Sequence, residues 1–135
     1  MIKEIECIFA SVMNKALLSI GTNEDRESNL SLCHQFLNNI FTDISYSDSS
    51  VTMPYGTIYR NDFLNQLAVI YTDRDMDEVI RLLKSIEKDM GRNGADKKNG
   101  IVKIDIDLVI WNNSVLKPED FTRSYIADLL ASLDK

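Results

Sequence analysis

The segment Ile101-Val-Lys-Ile-Asp-Ile-Asp-Leu-Val-Ile-Trp111 places apolar residues around two aspartates. Successive side chains of a strand point to opposite faces of the sheet. The segment is therefore predicted to be a central strand with one polar, functional face that carries Lys103, Asp105 and Asp107. The apolar side chains that are predicted to share the other face are Val102, Ile104, Ile106, Leu108 and Ile110.

Outward from this strand, the chain predicts helices packed on an antiparallel sheet. The expected elements are a strand at 15–21, a helix at about 26–41, a strand before the turn at 53–56, a strand at 62–72, a helix from Asp75 to Met90, a mobile loop at 92–100 and a last helix from about Glu119. This order predicts a ferredoxin-like α+β sandwich. Its mostly antiparallel sheet has helices on one face, plus a C-terminal helix. Residues 1–135 are expected to form one domain, with 1–14 as an N-terminal extension or a mis-assigned start.

The composition excludes several classes of protein. The chain has 135 residues, 44% of them hydrophobic, and a net charge of −6. It contains no run of about 18 apolar residues, so no membrane span is expected. The acidic balance argues against nucleic acid as a partner, because phosphate contacts need clustered Lys and Arg. Two cysteines are too few for a disulfide framework, and the N-terminus lacks the features of a secretory signal, so a cytoplasmic location is expected.

Asp105 and Asp107 are the strongest chemical signal in the sequence. Residues i and i+2 of a strand share a face, with Cα atoms roughly 6–7 Å apart. Two carboxylates in this arrangement can bind Mg²⁺, with substrate phosphates completing the oxygen shell. Alternatively, they are solvated charges on an exposed sheet face, which antiparallel sheets often have.

Four segments, taken in order, resemble the 6-hydroxymethyl-7,8-dihydropterin pyrophosphokinases of folate biosynthesis. They are Ala16-Leu-Leu-Ser-Ile-Gly-Thr-Asn23, Pro54-x-Gly56 with Asp62-Phe-Leu-Asn65, Ile86-Glu87 with Gly91-Arg92, and Ile104-Asp-Ile-Asp-Leu108. The resemblance implies transfer of the β,γ-pyrophosphoryl group of MgATP to the hydroxymethyl oxygen of a reduced pterin. It also implies that Asp105 and Asp107 hold two Mg²⁺ ions, and it gives catalytic roles to these two residues and Arg92.

The resemblance further implies two groups of binding residues. The pterin is expected between the rings of Phe63 and Tyr125, with the Asn65 amide on its polar edge. The other expected pterin-side residues are Thr52, Pro54, Tyr55, Gly56 and Glu87. The expected ATP-side residues are Arg92, Lys97, Lys98, Lys103 and Arg123. Without the resemblance, Phe63 and Tyr125 are interpreted as core aromatic residues and the loop lysines as solvated charges.

The nucleotide side departs from the family pattern. Gly94, Asn99 and Val102 stand where the family has an arginine, a tryptophan and another arginine, and a proline-histidine segment between Phe121 and Arg123 is missing. Lysine is a point charge and does not replace a bidentate guanidinium. Three hypotheses therefore stay open: a pyrophosphokinase with weakened activity, a non-catalytic pterin- or nucleotide-binding regulatory module, and an assembly domain that binds no small molecule. A homo-oligomer is also left open.

Overall fold

The computed structural model describes residues 13–54, 59, 61–119 and 124–133. Its strands are β1 (Asn14–Thr22), β2 (Asp43–Thr52), β3 (Phe63–Thr72), β4 (Asp105–Trp111) and β5 (Ser114–Val115). Its helices are α1 (Arg26–Ile40), α2 (Met76–Asp89), α3 (Gly94–Lys98) and α4 (Ser124–Leu133). Among these residues, no helix is both long enough and apolar enough to cross a bilayer.

The sheet has the strand order β2-β3-β1-β4-β5, and every neighbouring pair is antiparallel. With helices after β1 and β3, this is the ferredoxin-like α+β arrangement that the sequence predicts. The strand at the centre of the sheet, however, is not the one predicted from the 101–111 segment. β1 lies in the middle of the sheet, whereas β4 has only the two-residue β5 on its outer side.

Two apolar cores cover the two faces of the sheet. On one face, Leu18 and Ile20 of β1 pack with Leu37 of α1 and Ile86 of α2. On the other face, Leu17 of β1 and Leu67 of β3 pack against α4 through Tyr125, Ile126 and Leu129. The C-terminal helix therefore covers the side of the sheet that the first two helices leave open.

Local chemistry explains the boundaries of α2, which correspond closely to the predicted helix. The Asp75 carboxylate accepts a hydrogen bond from the backbone N–H of Glu78, at 2.8 Å, and so caps the first turn. At the other end, Gly91 has a φ of 92°, the left-handed conformation that ends helices and favours glycine. Arg92 follows directly, so the helix end sets where its side chain begins.

A bulge at Val109 overturns part of the predicted face alternation. Leu17 of β1 is opposite Ile110, but the next residue, Leu18, is opposite Leu108, so Val109 has no partner in β1. The extra residue reverses the faces beyond it. Ile110 consequently packs with the α4 core, not with Leu108 as expected, and Trp111 packs with the core under α1 and α2.

Other boundaries also differ from the predictions. β4 begins at Asp105, not at residue 101, because the backbone of Val102 pairs with Asn23 beyond the end of β1. The segment expected to be a mobile loop at 92–100 contains the short helix α3. β5 was not predicted, and α4 is described from Ser124, with residues 120–123 of the predicted helix outside the described part of the chain. Asn14 belongs to β1 and not to an extension, and residues 1–12 lie outside the described part of the chain.

Candidate active site

The two aspartates share a sheet face with the predicted pterin residues. Asp105 of β4 is opposite Gly21 of β1, and Gly21 is opposite Asn65 of β3. Directly opposed residues project to the same face, and neighbouring strands are about 4.8 Å apart, so Asp105 and Asn65 are separated by roughly 10 Å. Asp107, opposite Ser19, and Phe63, two residues before Asn65, share this face but lie toward opposite ends of the sheet. The sheet thus places Asp105 beside the predicted pterin residues, with Asp107 farther from them.

Because Gly21 has no side chain, it leaves open the sheet surface between the aspartates and the predicted pterin residues, which we call the floor of the site. A Cβ atom at this position would lie 3.6 Å from Asn65 Oδ1 and 3.8 Å from Phe63 Cδ1. Any larger side chain would therefore rise between Asp105 and Phe63. The glycine that ends the first apolar run of the sequence keeps a surface free on which a flat ligand could lie.

The amide of Asn65 is held in a fixed orientation. Its Nδ2 donates to Thr52 Oγ1 at 2.7 Å and to the carbonyl oxygen of Ser50 at 3.2 Å. Phe63 is half-buried, and Tyr59 packs edge-on against its ring, with centroids 5.1 Å apart. This amide and ring are the two groups expected to recognise a flat polar heterocycle.

Each aspartate of the pair forms an ion pair with a basic side chain. Arg92 Nη1 lies 2.7 Å from Asp105 Oδ1 and 3.0 Å from Glu87 Oε2. Lys117 Nζ lies 2.9 Å from Asp107 Oδ1. The carboxylates and cations of this face therefore form one continuous network in which opposite charges are in direct contact.

Glu87 of α2 holds this network through a buried carboxylate. Its side chain is only 5% exposed, and its Oε2 also accepts a hydrogen bond from the N–H of Ile106, at 2.8 Å, on the outer side of β4. One buried carboxylate thus anchors both the strand that carries the aspartates and the guanidinium of Arg92. Direct contact between Glu87 and a pterin, as the resemblance implied, would require this buried side chain to become accessible.

Burial and neighbouring charges make the two aspartates unequal acids. Burial opposes the charge of Asp105, but the hydrogen bond and charge of Arg92 outweigh it, and the pKa of Asp105 lies below its usual value. Burial and the charge of Asp105 raise the pKa of Asp107, and Lys117 offsets only part of this effect. Burial also raises the pKa of Glu87 despite its bond to Ile106 and the charge of Arg92. Protons are therefore held more tightly at Asp107 and Glu87 than at Asp105.

The end of β1 fixes the segment that leads into β4. Asn23 is buried, and its side chain donates to the carbonyl of Gly100 at 2.9 Å and accepts from the N–H of Val102 at 2.7 Å. One residue after Val102, Lys103 Nζ lies 3.0 Å from Asp96 Oδ2, so this lysine forms an ion pair with Asp96 and not with either aspartate of the pair. The two other loop lysines, Lys97 and Lys98, are exposed on α3. Their predicted ATP contacts stay predictions.

Tyr125 lies on the same face of the sheet but inside the α4 core. It is 7% exposed and packs with Leu17 and Leu67. Among the described residues, it is the ring of Tyr59 that packs against Phe63, and the sequence pattern did not single out this tyrosine. Pro54 is half-buried after the end of β2, and the remaining predicted site residues, Tyr55, Gly56 and Arg123, lie outside the described residues.

The donor chemistry of the aspartate pair fits Mg²⁺. Mg²⁺ prefers carboxylate and phosphate oxygens and is commonly bound through one or two carboxylates plus substrate phosphates. In the described ranges, no group of three or more His, Cys, Asp or Glu side chains is arranged to hold a metal by itself. Asp105 and Asp107 would therefore be the protein ligands, with water and, when ATP is bound, phosphate oxygens completing the shell.

Comparison with known proteins identifies the family of the chain. The family model described as 7,8-dihydro-6-hydroxymethylpterin-pyrophosphokinase (HPPK) matches residues 17–135. The chain belongs to this family. The family that the sequence motifs resemble is thus confirmed.

Among solved structures, this HPPK family member is similar to the C-terminal domain of the MgtC protein from Mycobacterium tuberculosis, whose structure was determined in solution. The two share 9% sequence identity and a TM-score of 0.39, over 71% of this chain and 87% of that one. No curated protein matches this sequence at a significant level.

Two contributors to the site were missed at the sequence level. Lys117 reaches Asp107 because the β4–β5 hairpin turns at Asn112 and Asn113, and Asn112 has a φ of 53°. An Asn pair after an alternating strand is a typical hairpin signal and could have indicated β5. Tyr59 precedes Phe63 by four residues in the sequence, and no periodicity marks such a contact.

Proposed function

We propose that this protein transfers the β,γ-pyrophosphoryl group of ATP to the hydroxymethyl oxygen of 6-hydroxymethyl-7,8-dihydropterin. The observation that supports this proposal most directly is the shared sheet face, on which Asp105 lies across Gly21 from Asn65. Asp107 and Phe63 are on the same face. In the reaction, a bond forms between the hydroxymethyl oxygen and the β-phosphorus. The bond from the β-phosphorus to the oxygen of the α-phosphate breaks, AMP leaves, and the hydroxyl proton is released.

The chain's own residues would bind and orient the two substrates. Phe63 would stack on the pterin ring, and the Asn65 amide, already held by Thr52, would select its polar edge. This fixes the direction of the hydroxymethyl group. Because phosphoryl transfer depends mainly on positioning and charge neutralisation, the precision of this placement would govern the rate.

Arg92 would neutralise phosphate charge. Glu87 and Asp105 hold its Nη1, and a guanidinium has five N–H donors, more than these contacts use. The pKa of Arg92 lies above its ordinary value because Asp105 and Glu87 outweigh the effect of its burial. Bound Mg²⁺ would supply further charge neutralisation at the phosphates.

Release of AMP tests this proposal directly. Purified full-length protein is incubated with MgATP and the hydroxymethyl dihydropterin, and AMP is measured by a coupled assay. We expect AMP formation that depends on the pterin, and we expect Asp105→Asn to lower the rate by at least a hundredfold, or about 3 kcal/mol. Asp96→Asn removes a carboxylate that is likewise ion-paired, at 3.0 Å, but lies outside the pair, and it should retain activity. No pterin-dependent AMP at high protein concentration would refute catalysis.

The second candidate is a non-catalytic module that binds a pterin. It is favoured by the ion pairs of Asp105 and Asp107 with Arg92 and Lys117, and by the replacement of three nucleotide-side residues of the family. Calorimetry discriminates between the two candidates. A catalyst should bind MgATP as well as the pterin, whereas the module should bind the pterin without magnesium-dependent binding of ATP.

A further inference from the structure

Lys117 approaches the aspartate pair from the outer edge of the sheet. In the β4–β5 hairpin, the backbone N–H of Leu116 donates to the carbonyl of Val109 at 2.8 Å, which continues the pairing one residue past β5. This places Lys117 beside Asp107, with Nζ at 2.9 Å from Oδ1. The lysine is 41% exposed and the aspartate 25% exposed, so the ion pair is partly shielded from water.

The aspartate pair is already charge-compensated by the protein. Arg92 contacts Asp105 and Lys117 contacts Asp107, both within 3.0 Å. A divalent ion shared by both carboxylates would add two positive charges next to these cations. Arg92 also contacts the buried carboxylate of Glu87, and its movement would leave that buried charge with less compensation. The side chain of Lys117 is partly exposed and its ammonium lies on a four-carbon stem with several rotatable bonds, so we take Lys117 as the cation that moves.

We infer that Lys117 is a built-in counter-cation that a divalent metal ion must displace from Asp107 before both aspartates can bind the ion. The inference rests on the proposed role of the two aspartates as metal ligands. A cleft of about 240 Å³ lies next to the ion pair and is lined by both of its members. Its other lining residues include Leu83, Lys84 and Leu116, so the cleft leaves space beside the ion pair, and the displaced ammonium would turn toward solvent.

The experiment measures binding of Mn²⁺ to the full-length chain without nucleotide, by electron paramagnetic resonance of the free ion. Lys117→Met removes the charge and keeps most of the apolar stem, and Lys117→Gln provides a second neutral variant. Lys117→Arg keeps the charge. Lys103→Met is the matched control, because Lys103 is 32% exposed and forms a 3.0 Å ion pair with Asp96 outside the pair.

We expect both neutral variants at position 117 to bind Mn²⁺ at least tenfold more tightly than the wild type. Lys117→Arg and Lys103→Met should stay within about threefold of it. Adding Asp107→Asn to Lys117→Met should remove the gain. Equal or weaker binding by the neutral variants, an equal gain in Lys103→Met, or no saturable Mn²⁺ binding by any variant would overturn the inference.

These results are independent of turnover. If the protein releases no AMP but Lys117→Met gains Mn²⁺ affinity, the proposed reaction fails and the role of Lys117 stands. If AMP is released and the neutral variants gain nothing, the enzyme stands and the role of Lys117 fails.

Discussion

Replacing Gly21 with alanine tests whether a ligand lies over the floor of the site. The new Cβ would lie 3.6 Å from Asn65 Oδ1 and 3.8 Å from Phe63 Cδ1, which are ordinary van der Waals distances. In the described part of the chain, the glycines with a positive φ are Gly91 and Gly100. Gly21 is not one of them, so its backbone accepts alanine. Loss of glycine's freedom in the unfolded chain should stabilise the variant by about 0.4–1 kcal/mol.

Ligand binding should change in the opposite direction. The methyl group would occupy space between Asp105 and Phe63, and overpacking a well-filled site costs about 1–3 kcal/mol. The affinity for a hydroxymethyl pterin should therefore fall by roughly 5- to 150-fold. Urea unfolding measures the stability and calorimetric titration the affinity. Gly94→Ala is the control, because a Cβ there meets nothing within 4 Å.

Two results would refute the reasoning about Gly21. Unchanged pterin affinity in Gly21→Ala would mean that the ligand does not lie over this glycine. A loss of more than about 1 kcal/mol of unfolding free energy would mean that the alanine is strained and that the floor is not open as described.

The other predictions concern buried and charged groups. Asp105→Asn should lower the unfolding free energy at pH 7 by about 1 kcal/mol, since it removes the partner of Arg92. Because the folded-state pKa of Asp105 is lowered, this deficit should fade as the pH falls below about 4. The pKa of Asp107 is raised, so ionisation of Asp107 costs stability as the pH rises, and Asp107→Asn should gain stability relative to the wild type as the pH rises above about 4. Equal pH profiles for the Asp105 and Asp107 variants would contradict both statements. Glu87→Gln should lower the free energy of unfolding, measured with urea, by about 1–3 kcal/mol, because the buried carboxylate holds both Arg92 and β4. An unchanged free energy of unfolding would contradict that anchoring role. Burial raises the pKa of Cys33 to about 12, so iodoacetamide should label this thiol at pH 8 only on unfolding. Rapid labelling of Cys33 in the folded protein, located by peptide mass spectrometry to distinguish it from Cys7, would refute its burial.

The sequence predicted the elements that depend on periodicity or on local caps. The i, i+2 spacing of Asp105 and Asp107 placed them on one face of a strand, and Asp75 marked the start of α2 through its capping side chain. The order of elements was sufficient for the ferredoxin-like topology. These features are set by neighbouring residues, so they are visible in one sequence.

Features that depend on distant contacts or on one extra residue were not predicted. The bulge at Val109 is visible only in the pairing of β4 with β1, and it moved Ile110 to the other core. The ion pair between Lys117 and Asp107 requires the hairpin at β5. For Tyr125 the sequence left two interpretations open, a core residue or a pterin-binding ring, and the packing of α4 across the sheet places the side chain in the core. Tertiary packing decided each of these outcomes.

The most direct test of the shared binding face is an experimental structure of the protein with Mg²⁺, a non-hydrolysable ATP analogue and the hydroxymethyl pterin. We expect the pterin ring to stack on Phe63 within about 4 Å, with its polar edge at the Asn65 amide and the phosphates at Asp105 and Arg92. A pterin in the cavity of about 330 Å³ beside Leu17 and Leu130, with Phe63 and Asn65 uncontacted, would contradict this account.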